Sequence, residues 1–423
     1  MSKINIITFL GDRGALQTTY IHNQKEYVGG VFAEALRQFC EYDTMLVCVT
    51  ERARENTWPV LEALGDSRIK PIDIPTGRST EEMWQTFKII AEQVNENDHV
   101  IFDITHGLRS LPFLVFLFAA YLKAAKNVTI DAIYYGALEL GNFRTGIPAP
   151  VIDLSEFVGM LDWLTATERF IEIGDGQPLA NLIKNALPSN IELSSNPASR
   201  PVRKDLENTA KIIENISLAL SITRPIETMQ SATRLEEILK QAAPSFAERA
   251  KPFSLLSEKV VQEYGQFALE DPTDQAALAE NLWLQLQMIE WYIQRDRVVQ
   301  AVTLAREWLI SVLVLKFGEL MFDNANSRRP VENTINNAVE KRKSSPRPIT
   351  PSRCDEKFAA LPQADELVNI WSQMAELRND IAHVGMNLNP QSASKLKDKA
   401  VSLYPQLQKL GQELLPERVN IPI

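Results

Sequence analysis

Five short runs of apolar and β-branched residues punctuate the first 150 positions: INIITFL (4–10), TMLVCVT (44–50), IKPIDIP (69–75), HVIFDIT (99–105) and VTIDAIYYGAL (128–138). Between several of them apolar residues recur at three- and four-residue steps, as in GGVFAEALRQFC and STEEMWQTFKIIAEQVN. Strands that alternate with helices, and are apolar on both faces, predict an α/β Rossmann-like N-terminal domain over 1–152. Its sheet should be parallel, with helices on both faces. At Asp153 the period changes. DLSE offers an Asp cap with Glu three residues later, and Phe157, Leu161 and Leu164 follow at helical spacing. An all-α C-terminal region is therefore expected, as a helical connecting region over 153–290 and a further helical domain over 291–423. Two polar, proline-containing stretches, 187–202 and the basic 324–353, read as loops, the second as a mobile one.

Charge and cysteines narrow the classes. A formal net charge of −10 argues against a broad basic face for duplex nucleic acid, while leaving room for a local groove. Cys40, Cys48 and Cys354 form no metal-ligand spacing and an odd count makes a poor disulfide framework, so a reducing cytoplasm fits. The opening MSKINIITFLG reads as a strand and lacks a secretory pattern. LPFLVFLFAAYL (111–122) falls short of the about 20 residues a bilayer span needs, so it reads as a buried helix and no membrane partner is expected.

Two loops carry candidate chemistry. FLGDRG (9–14) follows the first strand and DITHGLRSLP (103–112) the fourth, both at carboxyl ends, where open parallel sheets bind ligands. Gly107 permits a tight turn, and Ser110 can cap the helix that starts near Leu111. Thr105, His106, Arg109 and Ser110 are donors suited to phosphates. The plainer alternative is that they only turn strand into helix. Neither G-x-G-x-x-G nor G-K-[ST] is present, which argues against a nicotinamide dinucleotide or an ATP-hydrolysing loop. These two loops, with Tyr20 and Tyr27 downstream of the first, resemble the CARF domain of CRISPR-associated proteins. The resemblance covers roughly residues 1 to 150. It implies a dimer that binds a cyclic oligoadenylate across its two-fold axis through Gly11, Asp12, Arg13, Thr105, His106, Gly107, Arg109 and Ser110. Asp12 and Arg13 stand where many relatives carry small or hydroxylated residues.

Near the C-terminus, Leu367, Ile370, Trp371, Met374, Leu377, Ile381 and Val384 form one apolar helical stripe. At 100° per residue, Asn379 and His383 lie about 40° apart on the opposite face, flanked by Arg378. A solvated polar face would read the same way. RNDIAH (378–383) resembles the R-[NDH]-x3-H signature of HEPN ribonucleases, helical dimers that cut RNA without metal at a composite site. That implies a HEPN-like domain over 291–423, with Arg378, Asn379 and His383 catalytic and no metal. The helix from about Arg295 to Phe322 is its expected bundle partner.

In this order the two motifs resemble the CARF–HEPN ancillary ribonucleases of type III CRISPR systems. The resemblance implies a cytoplasmic, metal-independent endoribonuclease in antiviral defence that acts on single-stranded RNA. Its allosteric activator would be a cyclic oligoadenylate, most simply cyclic tetra-adenylate, with no other cofactor. A homodimer or higher oligomer is implied, and the basic 326–357 segment could guide a single strand. Two alternatives share the sensor: a ligand-responsive regulator, and a ring nuclease that degrades its own ligand.

Overall fold

The computed structural model describes residues 2–107, 110–386 and 388–418, apart from the Phe143 side chain. The chain forms two compact units, Met1–Asp162 and Trp163–Ile423.

The first unit contains eight strands: β1 (Ile4–Phe9), β2 (Thr18–His22), β3 (Lys25–Gly29), β4 (Thr44–Val49), β5 (Ile69–Asp73), β6 (His99–Asp103), β7 (Thr129–Gly136) and β8 (Ala149–Asp153). Helices α1 (Phe32–Phe39), α2 (Glu51–Asn56), α3 (Trp58–Glu62), α4 (Thr80–Gln93) and α5 (Leu111–Lys126) lie between them. The sheet order is β3-β2-β8-β7-β6-β1-β4-β5. Its centre, β7-β6-β1-β4-β5, is parallel throughout. All five apolar runs are strands of this core. They alternate between two buried clusters: Ile6 packs on one face with Phe32, Leu36 and Val47, and Ile7 on the other with Phe102, Val115 and Phe118.

Beyond this parallel core the sheet is mixed. A hairpin, β2 against β3, follows the first loop, and β8 runs antiparallel to β7. Asn23 and Gln24, both at positive φ, make its turn, without the Asn-Gly or Asp-Gly pair that marks a hairpin in sequence. α5 also differs from the fully buried helix expected. Leu111, Val115, Phe118, Ala119 and Leu122 are buried, but Phe113, Leu117 and Tyr121 form an exposed second face.

α6 (Ser155–Ile173) begins in the first unit and ends in the second. The Asp153 carboxylate accepts the Ser155 N–H at 2.9 Å, as the DLSE pattern foretells, although Phe157 and Leu161 stay exposed. The second unit continues with α7 (Gln177–Asn185), α8 (Asn190–Ser195), α9 (Ser199–Ser221), α10 (Pro225–Arg249), α11 (Lys251–Ser254), α12 (Ser257–Gly265), α13 (Leu278–Gln294), α14 (Val298–Phe317), α15 (Arg329–Lys341), α16 (Asp355–Ala359), α17 (Ala364–Ala382) and α18 (Ala393–Leu414). No strand occurs among its described residues. Both stretches read as loops contain helices. α8 carries a Ser189 cap, and α15 buries Val331, Thr334, Ile335 and Asn337. α14 is long and apolar enough to cross a membrane by length and composition, but most of it is buried among the other helices.

Helices before and after residue 290 share one hydrophobic core, from Phe170 and Ile213 through Trp308 to Leu377 and Leu410. Trp308 is fully buried, and its indole N–H donates to the Leu282 carbonyl at 2.8 Å. Trp308→Ala should therefore destabilise the helical unit by about 3–5 kcal/mol. Helical circular dichroism in urea should show its helices melting together at a lower midpoint. Separate transitions for the segments before and after 290 would contradict a shared core.

Candidate functional site

In the parallel core the chain runs outward from β1 to β4 and β5, then returns on the other side to β6 and β7. The order reverses between β1 and β6, which makes their carboxyl ends the switch-point crevice. Thr8 and Asp103, the residues that meet there, are both fully buried. The Thr8 hydroxyl donates to Asp103 Oδ2 at 2.6 Å, and the Thr105 N–H donates to Asp103 Oδ1 at 2.7 Å. Burial pushes the Asp103 carboxyl above the ordinary carboxylate range. It pushes the nearby His106 imidazole below its ordinary value, against the pull of the Asp103 charge.

The crevice opens into a cleft of about 230 Å3. Gly11, Asp12, Gly107 and Ser110 all line it. Gly107 has φ +104°, and a Cβ there would come within 3.2 Å of Phe9, so a glycine is required. Thr57 Oγ1 donates to the Gly11 carbonyl at 2.7 Å and Asn56 Nδ2 to that of Asp12 at 3.1 Å, fixing the first loop. Ser110 holds the N-cap position of α5, but its hydroxyl makes no capping bond, because its backbone is already helical. Among the described residues the hydroxyl has no other partner. Arg13 is exposed and outside the lining. Arg109 lies outside the described residues.

Thr105 and His106 do not line this cleft. Thr105 Oγ1 accepts the Gly136 N–H at 2.7 Å, and His106 Nε2 accepts the Phe32 N–H at 3.2 Å. An imidazole that accepts at Nε2 is neutral, which agrees with the lowered proton affinity that burial imposes. These two side chains hold the loop against β7 and α1. Two further segments, unremarked in the sequence, complete the wall: Thr50 to Arg52 at the start of α2 after β4, and the loop Thr76 to Arg78 after β5. Glu82 in α4 accepts the Arg78 N–H at 2.9 Å and the Thr76 hydroxyl at 3.3 Å, and these bonds lower its proton affinity. The Arg52 and Arg78 side chains are exposed, giving the cleft two cations beside the acidic Asp12 and Glu51. Each of these segments follows an apolar run, so the carboxyl-end rule, applied to every strand, is the signal that would have found them.

In the second unit, Leu367, Ile370, Met374 and Leu377 of α17 are fully buried and Ile381 half-buried, as the stripe requires. Val384 departs from it. It lies beyond the helix at φ +54° and is 78% exposed. A β-branched residue in that region is strained. It turns the chain, so the Gly385 N–H returns to the Asp380 carbonyl at 3.3 Å. Arg378, Asn379 and His383 are all exposed, with His383 at the C-cap. Among the described residues no hydrogen bond or ion pair engages the Arg378 guanidinium or the His383 imidazole. The basic 326–357 segment is largely neutralised: Arg328 pairs with Glu307, Arg342 with Asp365, Lys343 with Glu340, and Arg353 and Lys357 with Glu319.

The buried carboxyl generates a pH prediction. A raised proton affinity means that stability from Asp103 is full below the unfolded value of about 3.9 and is lost as pH rises through the folded value. Asp103→Asn removes this loss and can keep both bonds once the Thr8 hydroxyl turns to accept. Urea unfolding should show the variant gaining on the wild type as pH rises from about 4 to about 8. Asp103→Ala, which orphans two donors, should cost roughly 2–5 kcal/mol near pH 4 and less as pH rises, because it too removes the titrating carboxyl. A gap that widens against Asn with pH would reverse the assigned direction.

Residues 159–271, in α6 to α12, match the family model described as CRISPR-associated protein MJ1674, second domain. A protein of that name from Methanocaldococcus jannaschii is 32% identical over 126 residues, which cover 29% of this chain and 19% of that relative. The match therefore spans about a fifth of the relative's length. The cleft and RNDIAH both lie outside residues 159–271. The two matches support a CRISPR-associated protein.

Proposed function

We propose that the chain is a single-strand-specific endoribonuclease in CRISPR-based defence, switched on by a cyclic oligoadenylate in the cleft of the first unit. The observation that carries this reading is the end of α17. A guanidinium, an amide and an imidazole stand there in solvent, with no side-chain partner among the described residues, on a helix whose opposite face is buried. RNA supplies its own nucleophile. A 2′-hydroxyl loses its proton and attacks the adjacent phosphorus, the bond to the 5′-oxygen breaks, and that oxygen gains a proton. The products are a 2′,3′-cyclic phosphate and a 5′-hydroxyl. His383 suits the proton transfers at neutral pH. Arg378 suits the charge that builds on the phosphorane, and Asn379 the orientation of either.

A composite dimer site has support in the chain that follows. Val384, Met386 and Leu388 are 78%, 85% and 98% exposed immediately beyond His383. Three large apolar side chains in water within five residues fit a surface that a second copy covers. For the sensor, support comes from the cleft at the switch point with Gly107, Ser110, Arg52 and Arg78 around it. Thr105 and His106 are committed to holding the loop, so no observation favours the ring-nuclease alternative.

Replacing either Arg378 or His383 by Ala should abolish most cleavage of a fluorogenic RNA, and the double change should cost little more. Both residues are exposed, so thermal unfolding should be unaffected. Mixing wild type with His383→Ala should lower activity per wild-type chain if the site is composite. Normal cleavage by His383→Ala would end the assignment. EDTA should leave the wild-type rate intact.

The sensor is tested separately. Calorimetry with cyclic tetra-adenylate should give one ligand per dimer. Arg52→Ala or Arg78→Ala should weaken that binding roughly tenfold, the worth of one charge-assisted contact to phosphate. No binding of any cyclic oligoadenylate, or an affinity indifferent to both changes, would remove the cleft from consideration.

A further inference from the structure

A second cavity, of about 460 Å3, lies within the helical unit, bordered by Thr223 to Ile226, α13, α14 and residues 321–328. That volume falls in the range of roughly 300–1,000 Å3 typical of small-molecule sites. Its lining combines amides, hydroxyls, one aromatic ring, the Glu307–Arg328 pair and Arg224, a cation with no ion pair among the described residues.

Gln285 is only 8% exposed. Its Nε2 donates to Asn281 Oδ1 at 2.6 Å, and Asn281 Nδ2 donates to the Pro272 carbonyl at 2.7 Å. The bonds fix the orientation of both amides. Asn281 has both its amide oxygen and its amide nitrogen engaged, whereas among the described residues Gln285 keeps its Oε1 and one Nε2 hydrogen unbonded. An acceptor and a donor thus stand side by side in the wall, the complement of a nucleobase edge. Phe322, also in the lining, is 56% exposed and stacks on no ring among the described residues. Arg328 is occupied by Glu307 at 2.9 Å and by the Ser311 hydroxyl at 2.8 Å. Arg224 is exposed and makes no ion pair among the described residues. Next to it Thr223 is held at φ +60°, a strained setting for a β-branched residue, of the kind concentrated at ligand clamps.

We propose that this cavity binds one nucleotide unit, with the base between the Phe322 ring and the Gln285 amide and the phosphate at Arg224. An aromatic face suits any base, an amide reads an edge, and a guanidinium takes the phosphate. The nucleotide could be part of an RNA strand or free. The RNA source rests on the ribonuclease reading above. The nucleotide chemistry of the cavity does not.

The test uses the full chain and a fluorescein-labelled single strand of about twelve nucleotides, within the usual site sizes. Its riboses are 2′-O-methylated, so it has no nucleophile and survives. The four nucleoside 5′-monophosphates are titrated in parallel. Phe322→Ala should raise the Kd at least fivefold, as loss of one stacked base requires. Arg224→Ala should raise it and flatten its dependence on salt. Both residues are exposed, so folding is preserved. Effects on strand binding alone assign the site to RNA, and effects on a monophosphate alone assign it to a free nucleotide. Unchanged affinities in both variants, or binding of neither probe, overturn the proposal. Because the strand cannot be cleaved, the outcome is independent of whether His383→Ala retains activity.

Discussion

The hydrogen bond from the Thr8 hydroxyl to Asp103 joins β1 and β6 where the strand order reverses. Two loops leave the sheet from that point, and their separation depends on how these two strands are held. At the opposite end of the same strands another carboxylate acts likewise. Asp98 accepts Asn5 Nδ2 at 2.9 Å and the Lys3 N–H at 3.0 Å. The centre of the sheet is thus pinned by an aspartate at each end. The two differ in solvation, since Asp103 has its carboxyl raised by burial, whereas the bonds Asp98 accepts outweigh its burial and lower its value. A buried carboxyl that favours its proton is a costly way to tie two strands unless its bonds are made. The Asp103 carboxyl receives two, and the loop beyond it inherits a fixed starting direction.

That fixed start divides the second loop into two roles. Thr105 and His106 turn back to β7 and α1, while Gly107 and Ser110 face the cleft. Composition alone could not separate them. A threonine hydroxyl and an imidazole are equally good ligands for phosphate and for backbone N–H groups, and only the direction of each residue decides. The same limit explains the missed walls of the cleft. Arg52 and Arg78 lie far apart in sequence and come to line one cleft because β4 and β5 are adjacent in the sheet, an order that no local pattern encodes.

The features legible in advance were those with a strong period. Five apolar runs gave the core strands, and the α17 stripe placed Leu367 to Leu377 inside and Arg378, Asn379 and His383 outside. Where long-range bonds decide conformation, the pattern failed. Residues 324–353 look like linker by composition, yet α15 forms within them because Val331 and Ile335 reach the core. The chain after it is tied down too, through Asn337 to the Thr350 carbonyl and Ser352 to that of Pro330. Arg328, Arg342, Lys343 and Arg353 within it are paired with acids of the helical unit. A basic stretch in sequence is therefore only partly a basic surface in the fold.

Solvent exposure of Arg378 and His383 constrains what chemistry they can do alone. A guanidinium in open water is screened, and its attraction to a phosphorane falls to about 1 kcal/mol at contact distance. The same group in a water-excluded site acts through a far lower effective dielectric and loses nothing to reorganisation. On the proposed reading the catalytic strength must therefore come from whatever covers the end of α17. The described residues of this chain leave it open, and the next large side chains along the backbone, Val384, Met386 and Leu388, are apolar and exposed. A covering surface would bury them and desolvate the Arg378 and His383 pair in one event. On that reading, coupling activity to association would keep a single chain inactive without any lid, and a two-fold partner would be required by the electrostatics and not merely by stability.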